Sequence, residues 1–141
     1  MGQTQRLTVP GRFENLAQIA EFVTQVARDA GFGDDDVFHV EMAVDEACSN
    51  VIEHAYANRS GDIELTCTAS EAGRLEIVIH DHGAPFNPDS VPQPQTGSGV
   101  DLDALQEGGL GLYFMRKLMD DVQFKFVPDH GNTLIMVKRK K

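Results

Sequence analysis

The chain has 141 residues, the size of one domain that buries most of its apolar surface without disulfides or a structural metal. Its 12 basic and 22 acidic residues give a net charge of −10. This charge argues against nonspecific binding to nucleic acid or an anionic membrane, because that affinity comes from neutralising phosphates. No long apolar run or leader pattern occurs, so we expect a cytoplasmic protein that neither spans a membrane nor is exported. Cys48 and Cys67 lack metal-binding spacing and are expected to be buried free thiols.

The first half of the chain predicts an edge strand followed by two helices. A loose alternation over residues 6–12 stops at a Pro-Gly turn. Apolar residues at three- and four-residue steps predict an amphipathic helix over residues 13–30, ended by Gly31. A second helix begins at Asp34, where three successive aspartates suit the capping and the positive dipole end of a first turn. It is predicted to end near residues 57–58, before a turn-rich segment.

The second helix has an apolar stripe and, roughly opposite, a polar row of Glu46, Asn50 and His54 at four-residue spacing. A carboxylate one turn before a carboxamide can hold a hydrated cation or position a hydroxyl group. Taken alone, such a row is more often just the solvated face of a helix. We interpret His54 as structural and Asp45, which points away from Glu46, as an exposed or interdomain charge.

The second half of the chain predicts two hairpins, a long loop and a helix. Alternating runs at 63–69 and 75–79 form the first hairpin and lead directly into Asp81. The segment 84–108 is proline-rich and aperiodic, and the glycine-rich turn after it opens a helix. Two final alternating runs flank a turn at 128–131. This order predicts an α+β fold, a two-layer sandwich with helices on one face of a mostly antiparallel sheet, as a single domain over residues 1–141.

Four short motifs follow one another in the chain. They are Glu46-x-x-x-Asn50, Asp81-x-Gly83, the loop that closes at Gly109-x-Gly111, and Gly131-Asn-Thr133. Each motif alone is common, but the ordered set resembles the nucleotide-binding boxes of the GHKL (histidine-kinase-like) ATPase superfamily. Within that superfamily the chain is most similar to the anti-sigma-factor serine/threonine kinases. The resemblance covers about residues 7–138 and implies a Bergerat-type ATP-binding fold.

The resemblance implies a role for each motif. Asn50 would coordinate Mg²⁺ through its side-chain oxygen, and Glu46 would be the catalytic base for an attacking hydroxyl. Asp81 would accept a hydrogen bond from the exocyclic amine of adenine. Gly83 would let the backbone pass close to the base, and Thr133 would support the same edge of adenine, directly or through water.

Other expectations concern the phosphates and the remaining charged groups. Gly109 and Gly111 would lie against the phosphates of ATP, and residues 84–108 would form the ATP lid. Arg116 or Lys117 can also reach phosphate, although surface solvation is expected for at least one of them. The three histidines later in the chain have no mutual spacing that suggests a metal site; they are His80, His82 and His130.

The resemblance implies an ATP-dependent serine/threonine kinase that phosphorylates an anti-sigma-antagonist protein, sequesters a sigma factor and forms a homodimer. A second hypothesis is a non-catalytic ATP-binding regulatory module that holds a protein partner in a nucleotide-dependent way. A third is an α+β domain that binds no nucleotide. Glu46 favours the kinase, because a transfer reaction needs a group that accepts the hydroxyl proton.

Overall fold

The computed structural model describes residues 3–57, 59–85 and 110–140. In these residues, five strands form one antiparallel sheet in the order β1-β2-β3-β5-β4, with three α-helices packed on one face. The strands are β1 (Gln3–Pro10), β2 (Asp62–Ala69), β3 (Arg74–Asp81), β4 (Asp121–Val127) and β5 (Gly131–Arg139). The helices are α1 (Leu16–Asp29), α2 (Asp34–Asn50) and α3 (Leu110–Leu118). The α+β fold predicted from the order of elements is confirmed.

Both predicted hairpins are present, as β2–β3 and β4–β5, and the first strand lies at the sheet edge as expected. That edge strand begins at Gln3, earlier than the alternation indicated. The strand order contains one feature that the sequence did not predict. Strand β5 inserts between β3 and β4 and pairs antiparallel with both. The last strand of the chain therefore lies beside the end of β3, where the Asp81 motif begins.

The hydrophobic core lies between the sheet and the helices. Alternate residues of β2 and β3 point into it, and α1 and α2 contribute apolar residues at helical spacing. The predicted stripe of α2 is buried at Val37, Val40, Val44 and Cys48. Cys48 and Cys67 are buried free thiols, as predicted, and burial raises the pKa of each to about 12. No helix in the described ranges is both long and apolar enough to cross a membrane.

Helix α2 begins at Asp34, as predicted, but the aspartates do not cap it. Its N-cap residue is Gly33, and the three aspartates occupy the first turn without a side-chain capping hydrogen bond. They still lie where the helix dipole favours negative charge. Asp36 lies 3.8 Å from the Nζ atom of buried Lys138 on β5, and that ammonium group donates to the Leu118 carbonyl. Lys138 thus joins the start of α2 to the end of α3.

Helix α2 ends at Asn50 and continues as a π-helical segment, Val51–Tyr56, before Ala57 adopts the left-handed conformation (φ 48°). The end near residue 57 agrees with the prediction, but the change of period does not. A π-helix hydrogen-bonds five residues apart, so a four-residue step no longer stacks side chains above one another. The polar row predicted through His54 is therefore interrupted after Asn50. His54 is exposed, and its Nε2 atom lies 3.7 Å from Glu53.

Candidate functional site

A cavity opens between the C-terminal end of α2 and the ends of β3 and β5. Apolar side chains form much of its wall, including Ala47, Val51, Ile79 and Met115. Its polar lining comes from Asn50, Asp81, Lys125, Asn132 and Thr133. An apolar cavity with a few fixed polar groups is the usual form of a small-molecule site. Three of the predicted site residues therefore line a single cavity.

Asp81 is almost fully buried, at 2% exposure, on the last position of β3. Its Oδ1 atom accepts hydrogen bonds from the Gly83 backbone N–H at 2.8 Å and from Asn132 Nδ2 at 2.9 Å. No donor in the described part of the chain contacts Oδ2. Two protein donors thus fix one carboxylate oxygen, and Asp81 lines the cavity.

Asn132 is a site residue that the sequence analysis missed. It lies opposite Asp81 in the β3–β5 register, and its Nδ2 group donates to the Ala84 carbonyl at 2.7 Å as well as to Asp81. Asn132 therefore holds both ends of the turn that follows β3. The alternation of β5 was the available signal, since residues 132 and 134 share the core-facing side of the strand.

The structure places the Thr133 hydroxyl differently from the prediction. Thr133 lies opposite His80, and its Oγ1 atom is 2.9 Å from His80 Nδ1. Neighbouring residues of a strand point to opposite faces, so this hydroxyl lies on the outer face while Asp81 and Asn132 lie on the helix side. Support of the adenine edge by Thr133, directly or through water, stays a prediction. Thr133 contributes to the cavity wall without turning its hydroxyl toward Asp81.

Two glycines allow the close contacts around this turn. A Cβ atom on Gly83 would lie 2.5 Å from the carbonyl oxygen of Ala55, which accepts from the Ala84 N–H at 2.8 Å. The close approach seen at Gly83 is thus to the π-helical segment. Gly131 has φ +95°, and a Cβ atom there would overlap the Asp81 carbonyl oxygen. Glycine at both positions lets β5 and the π-helical segment enclose the turn.

Tyr56 anchors the same turn from beneath and was also missed by the sequence analysis. Its buried hydroxyl donates to the Asp62 carbonyl and accepts from the His82 backbone N–H at 3.0 Å. These bonds tie the end of the π-helical segment to both β2 and the residue after β3. A tyrosine at a helix end reads as ordinary packing in a sequence, so only the fold reveals this function.

Asn50 and Glu46 lie on the last two turns of α2. Asn50 is half-buried, lines the cavity and is the last residue before the π-helical segment. Glu46 is half-buried one turn earlier and is not among the described cavity-lining residues. Burial, with smaller contributions from the negative charges of Asp45 and Glu53, raises the pKa of Glu46 above its ordinary value. A raised pKa makes the carboxylate a stronger proton acceptor. Asp45 is exposed, as predicted.

The helix predicted after the glycine-rich turn is present as α3, and Gly111 lies in its first turn. Gly109 and residues 86–108 of the predicted lid lie outside the described residues. Arg116 and Lys117 are both exposed, and the Lys117 ammonium lies 5.4 Å from the centre of the Tyr113 ring. The exposure of both side chains agrees with the expectation that at least one of them is solvated at the surface.

Two of the three later histidines are brought together by the fold, beside a carboxylate. Spacing along the chain gave no sign of a cluster, but the sheet register brings His80 and His82 beside Glu64 of β2. Their candidate ligand atoms all lie within 4.8 Å of one another. His130 lies in the turn between β4 and β5 and is not part of this group.

Comparison with known proteins assigns the family. The family model for the histidine kinase-like ATPase domain matches residues 9–138. The chain belongs to this family. Serine-protein kinase RsbW of Bacillus mycoides (strain KBAB4) is 34% identical over 134 residues, which are 94% of this chain and 82% of the relative. The protein of the same name from Bacillus thuringiensis (strain Al Hakam) matches with the same identity and coverage. These matches confirm the family predicted from the ordered motifs.

Solved structures support the fold. The RsbU and RsbW domains of a Mycobacterium tuberculosis protein superpose with a TM-score of 0.70 at 15% identity, over 97% of this chain and 32% of that chain. A blue-light activated histidine kinase of Erythrobacter litoralis superposes with a TM-score of 0.56 at 16% identity, over 89% of this chain and 41% of that one. At these identities the likeness concerns the fold alone.

Proposed function

We propose that this chain is an ATP-dependent serine/threonine protein kinase that acts as an anti-sigma factor and phosphorylates an anti-sigma-antagonist protein. The observation that carries the proposal is the state of Asp81, a buried carboxylate that lines an apolar cavity and has one oxygen held by two protein donors. A flat apolar base with one exocyclic amine suits such a site, because the amine donates to Oδ2 while the ring contacts apolar walls.

The specificity for adenine follows from the chemistry of Asp81. An ionised carboxylate only accepts hydrogen bonds, so it matches the amine of adenine and opposes the carbonyl oxygen that guanine carries at the same position. Asn132 acts as a positioning residue because its Nδ2 group donates to Asp81 Oδ1 and to the Ala84 carbonyl. The phosphates would lie toward the start of α3, where Gly111 is in the first turn and the first backbone N–H groups have no acceptor within the helix.

Magnesium is the ion that this family uses with ATP, and the residues present fit it. Asn50 offers a hard carbonyl oxygen at the cavity, and Mg²⁺ is commonly bound through few protein oxygens together with substrate phosphates and water. When bound, Mg²⁺ neutralises phosphate charge during transfer. Asn50 would therefore hold the ion near the phosphates, and Glu46 lies one helical turn before it.

Glu46 is proposed as the general base. Its carboxylate would accept the proton of a serine or threonine hydroxyl on the antagonist protein as the hydroxyl oxygen forms its bond to the γ-phosphorus of ATP. The bond between that phosphorus and the bridging oxygen breaks, and ADP leaves with the bonding electrons. Partial burial supports this role, because it raises the pKa of Glu46 and keeps competing water at a distance.

The partners are part of the proposal. Support comes from the ordered motifs and from relatives named as serine-protein kinases, which the chain matches over most of their length. We propose the antagonist protein as phosphate acceptor, a sigma factor as a second partner and a homodimer as the working form. The net charge of −10 favours partners with basic surfaces.

The test is a transfer assay with γ-labelled ATP, Mg²⁺ and candidate antagonist proteins. Glu46→Gln is expected to lower the labelling rate by about 10²–10⁴-fold while leaving the ATP dissociation constant unchanged, because it removes the base but no nucleotide contact. Asp45→Asn is the matched control, since it neutralises the exposed neighbouring carboxylate and should retain transfer.

The possible outcomes separate the hypotheses. Normal transfer by Glu46→Gln would exclude Glu46 as the base. ATP binding without labelling of any serine or threonine would favour the non-catalytic regulatory module. Absence of adenine-nucleotide binding in calorimetry, with Mg²⁺ present, would contradict both and leave a domain that binds no nucleotide.

A further inference from the structure

A cluster of two imidazoles and one carboxylate lies on the outer face of the sheet, away from the helices. Glu64 of β2 is the register partner of His80 on β3, and His82 follows two positions later on the same side. The three candidate ligand atoms lie within 4.8 Å of one another. We call this group the outer-face triad. Nothing in the proposed kinase chemistry uses it, because Asp81 between the two histidines points to the opposite face.

The arrangement of the side chains suits a metal ion better than a simple ion pair. His82 Nε2 lies 3.7 Å from Glu64 Oε2, which is too long for a hydrogen bond. The two imidazole rings meet edge to face, with their centres 4.8 Å apart. A Zn²⁺ ion with bonds of ~2.0–2.2 Å holds its ligand atoms roughly 3.3–3.5 Å apart. The triad therefore needs movements of about 1 Å, and the side chains of His82 and Glu64, 59% and 47% exposed, have space to make them.

Thr133 supplies the outer partner that metal-binding histidines usually have. Its Oγ1 atom lies 2.9 Å from His80 Nδ1, so that nitrogen is occupied by a hydrogen bond. In the tautomer with the proton on Nδ1, His80 donates to Thr133 and Nε2 presents its lone pair. A hydrogen bond of this kind orients the ring and fixes the tautomer that a metal needs. The Thr133 hydroxyl thus supports the orientation of His80.

The geometry points to a binding site for a divalent first-row transition metal of the zinc type, with Glu64, His80 and His82 as protein ligands and water in the remaining position. Imidazole nitrogen with one carboxylate is a ligand set that Zn²⁺ accepts readily, whereas Mg²⁺ prefers oxygen ligands throughout. The site is therefore chemically distinct from the magnesium position proposed at Asn50. Neither cysteine competes for the metal, because both thiols are buried and their pKa values are raised to about 12.

The experiment is calorimetric titration of the full chain, free of any purification tag and of nucleotide, with Zn²⁺. We expect one ion per chain, retained in the presence of excess Mg²⁺. His80→Ala and His82→Ala should each weaken Zn²⁺ binding by at least ~10-fold, and Thr133→Val should weaken it less, because it removes only the orienting bond. Melting curves without metal would show whether each variant is folded.

The chain contains a close control pair. His54 Nε2 and Glu53 Oε2 are also 3.7 Å apart and comparably exposed, but among the described residues no third ligand joins them. The double variant Glu53→Gln and His54→Ala should therefore leave Zn²⁺ affinity unchanged.

A second measurement keeps the inference testable even if a histidine variant unfolds. In the unaltered chain, Zn²⁺ should shift the ring-nitrogen resonances of His80 and His82 and leave those of His54 and His130 in place. Absence of stoichiometric binding would overturn the inference. So would equal Zn²⁺ affinity in the two histidine variants and the parent chain, or ring shifts confined to other histidines.

Discussion

At the end of β3, the side chains on the two faces of the sheet have different chemistry. On the helix side, the carboxylate of buried Asp81 on β3 accepts a 2.9 Å hydrogen bond from the partly buried amide of Asn132 on β5. On the outer side, His80 and Thr133 occupy the neighbouring positions of the same two strands and form a second pair at 2.9 Å. The backbone is shared, and only the alternation of side chains separates them.

The pairing register of β3 and β5 decides the face on which each side chain lies, and therefore what that side chain can contact. The helix-side pair is enclosed by the turn after β3 and by the π-helical segment, so its polar groups are fixed before any ligand arrives. The outer pair continues into exposed side chains at His82 and Glu64, which are free to rearrange. Substitutions on the helix side should therefore affect nucleotide binding strongly, and those on the outer side should leave it intact.

The largest effect in this comparison is expected for Asp81→Asn. The oxygen of the carboxamide can still accept from the Gly83 N–H. Its NH₂ group, however, replaces the oxygen that would accept from the adenine amine, so ATP affinity should fall by roughly 10–100-fold. The preference for ATP over GTP should shrink as well. Calorimetry with both nucleotides measures this, with His80→Ala as the control one residue away. Equal losses in the two variants would remove the distinction between the faces.

A smaller effect is expected from the paired variants Asn132→Ala and Thr133→Val. Loss of Asn132 frees Asp81 Oδ1 and the Ala84 carbonyl from their shared donor, so ATP affinity should fall by about 10-fold. Loss of the Thr133 hydroxyl should leave ATP affinity unchanged, because its hydrogen-bond partner is His80. If Thr133→Val were instead the weaker binder, the role that the sequence analysis gave Thr133 would be restored.

Much of the fold follows from local patterns. Three- and four-residue spacing of apolar side chains predicts α1 and α2, and alternation predicts both hairpins, because these signals depend on neighbours in the chain. The place of β5 between β3 and β4 is not local. It depends on pairing between distant segments, which no spacing in the sequence encodes. The π-helical segment was not predicted for a different reason. Its hydrogen bonds span five residues instead of four, and this change has no signature in the residue types or in their order.

The candidate site also has residues that the sequence predicts and residues that only the fold reveals. Glu46, Asn50, Asp81 and Gly83 lie in motifs that the sequence shows directly, and Asn50 and Asp81 do line one cavity. Asn132 was missed because choosing between positions 132 and 133 requires the register of β5 against β3. The outer-face triad is hidden for a similar reason: Glu64 and His80 are sixteen positions apart by number and meet only through cross-strand pairing.

The smallest expected effect concerns stability. The charged carboxylate of Glu46 on α2 is expected to lower the stability of the folded chain. Its pKa is raised in the folded chain, so the native state binds the proton more tightly, and stability falls as pH rises from the unfolded-state pKa through the folded one. Glu46→Gln should therefore melt at a higher temperature than the parent at neutral pH, and the gain should vanish below about pH 4, where the parent carboxyl is protonated. Thermal melts across this range measure the difference, and Glu21→Gln at an exposed position of α1 is the control for the substitution itself. A lower melting temperature for Glu46→Gln at neutral pH would mean that the carboxylate stabilises the fold. Glu46 would then not be a charge that lowers stability and is kept for the reaction.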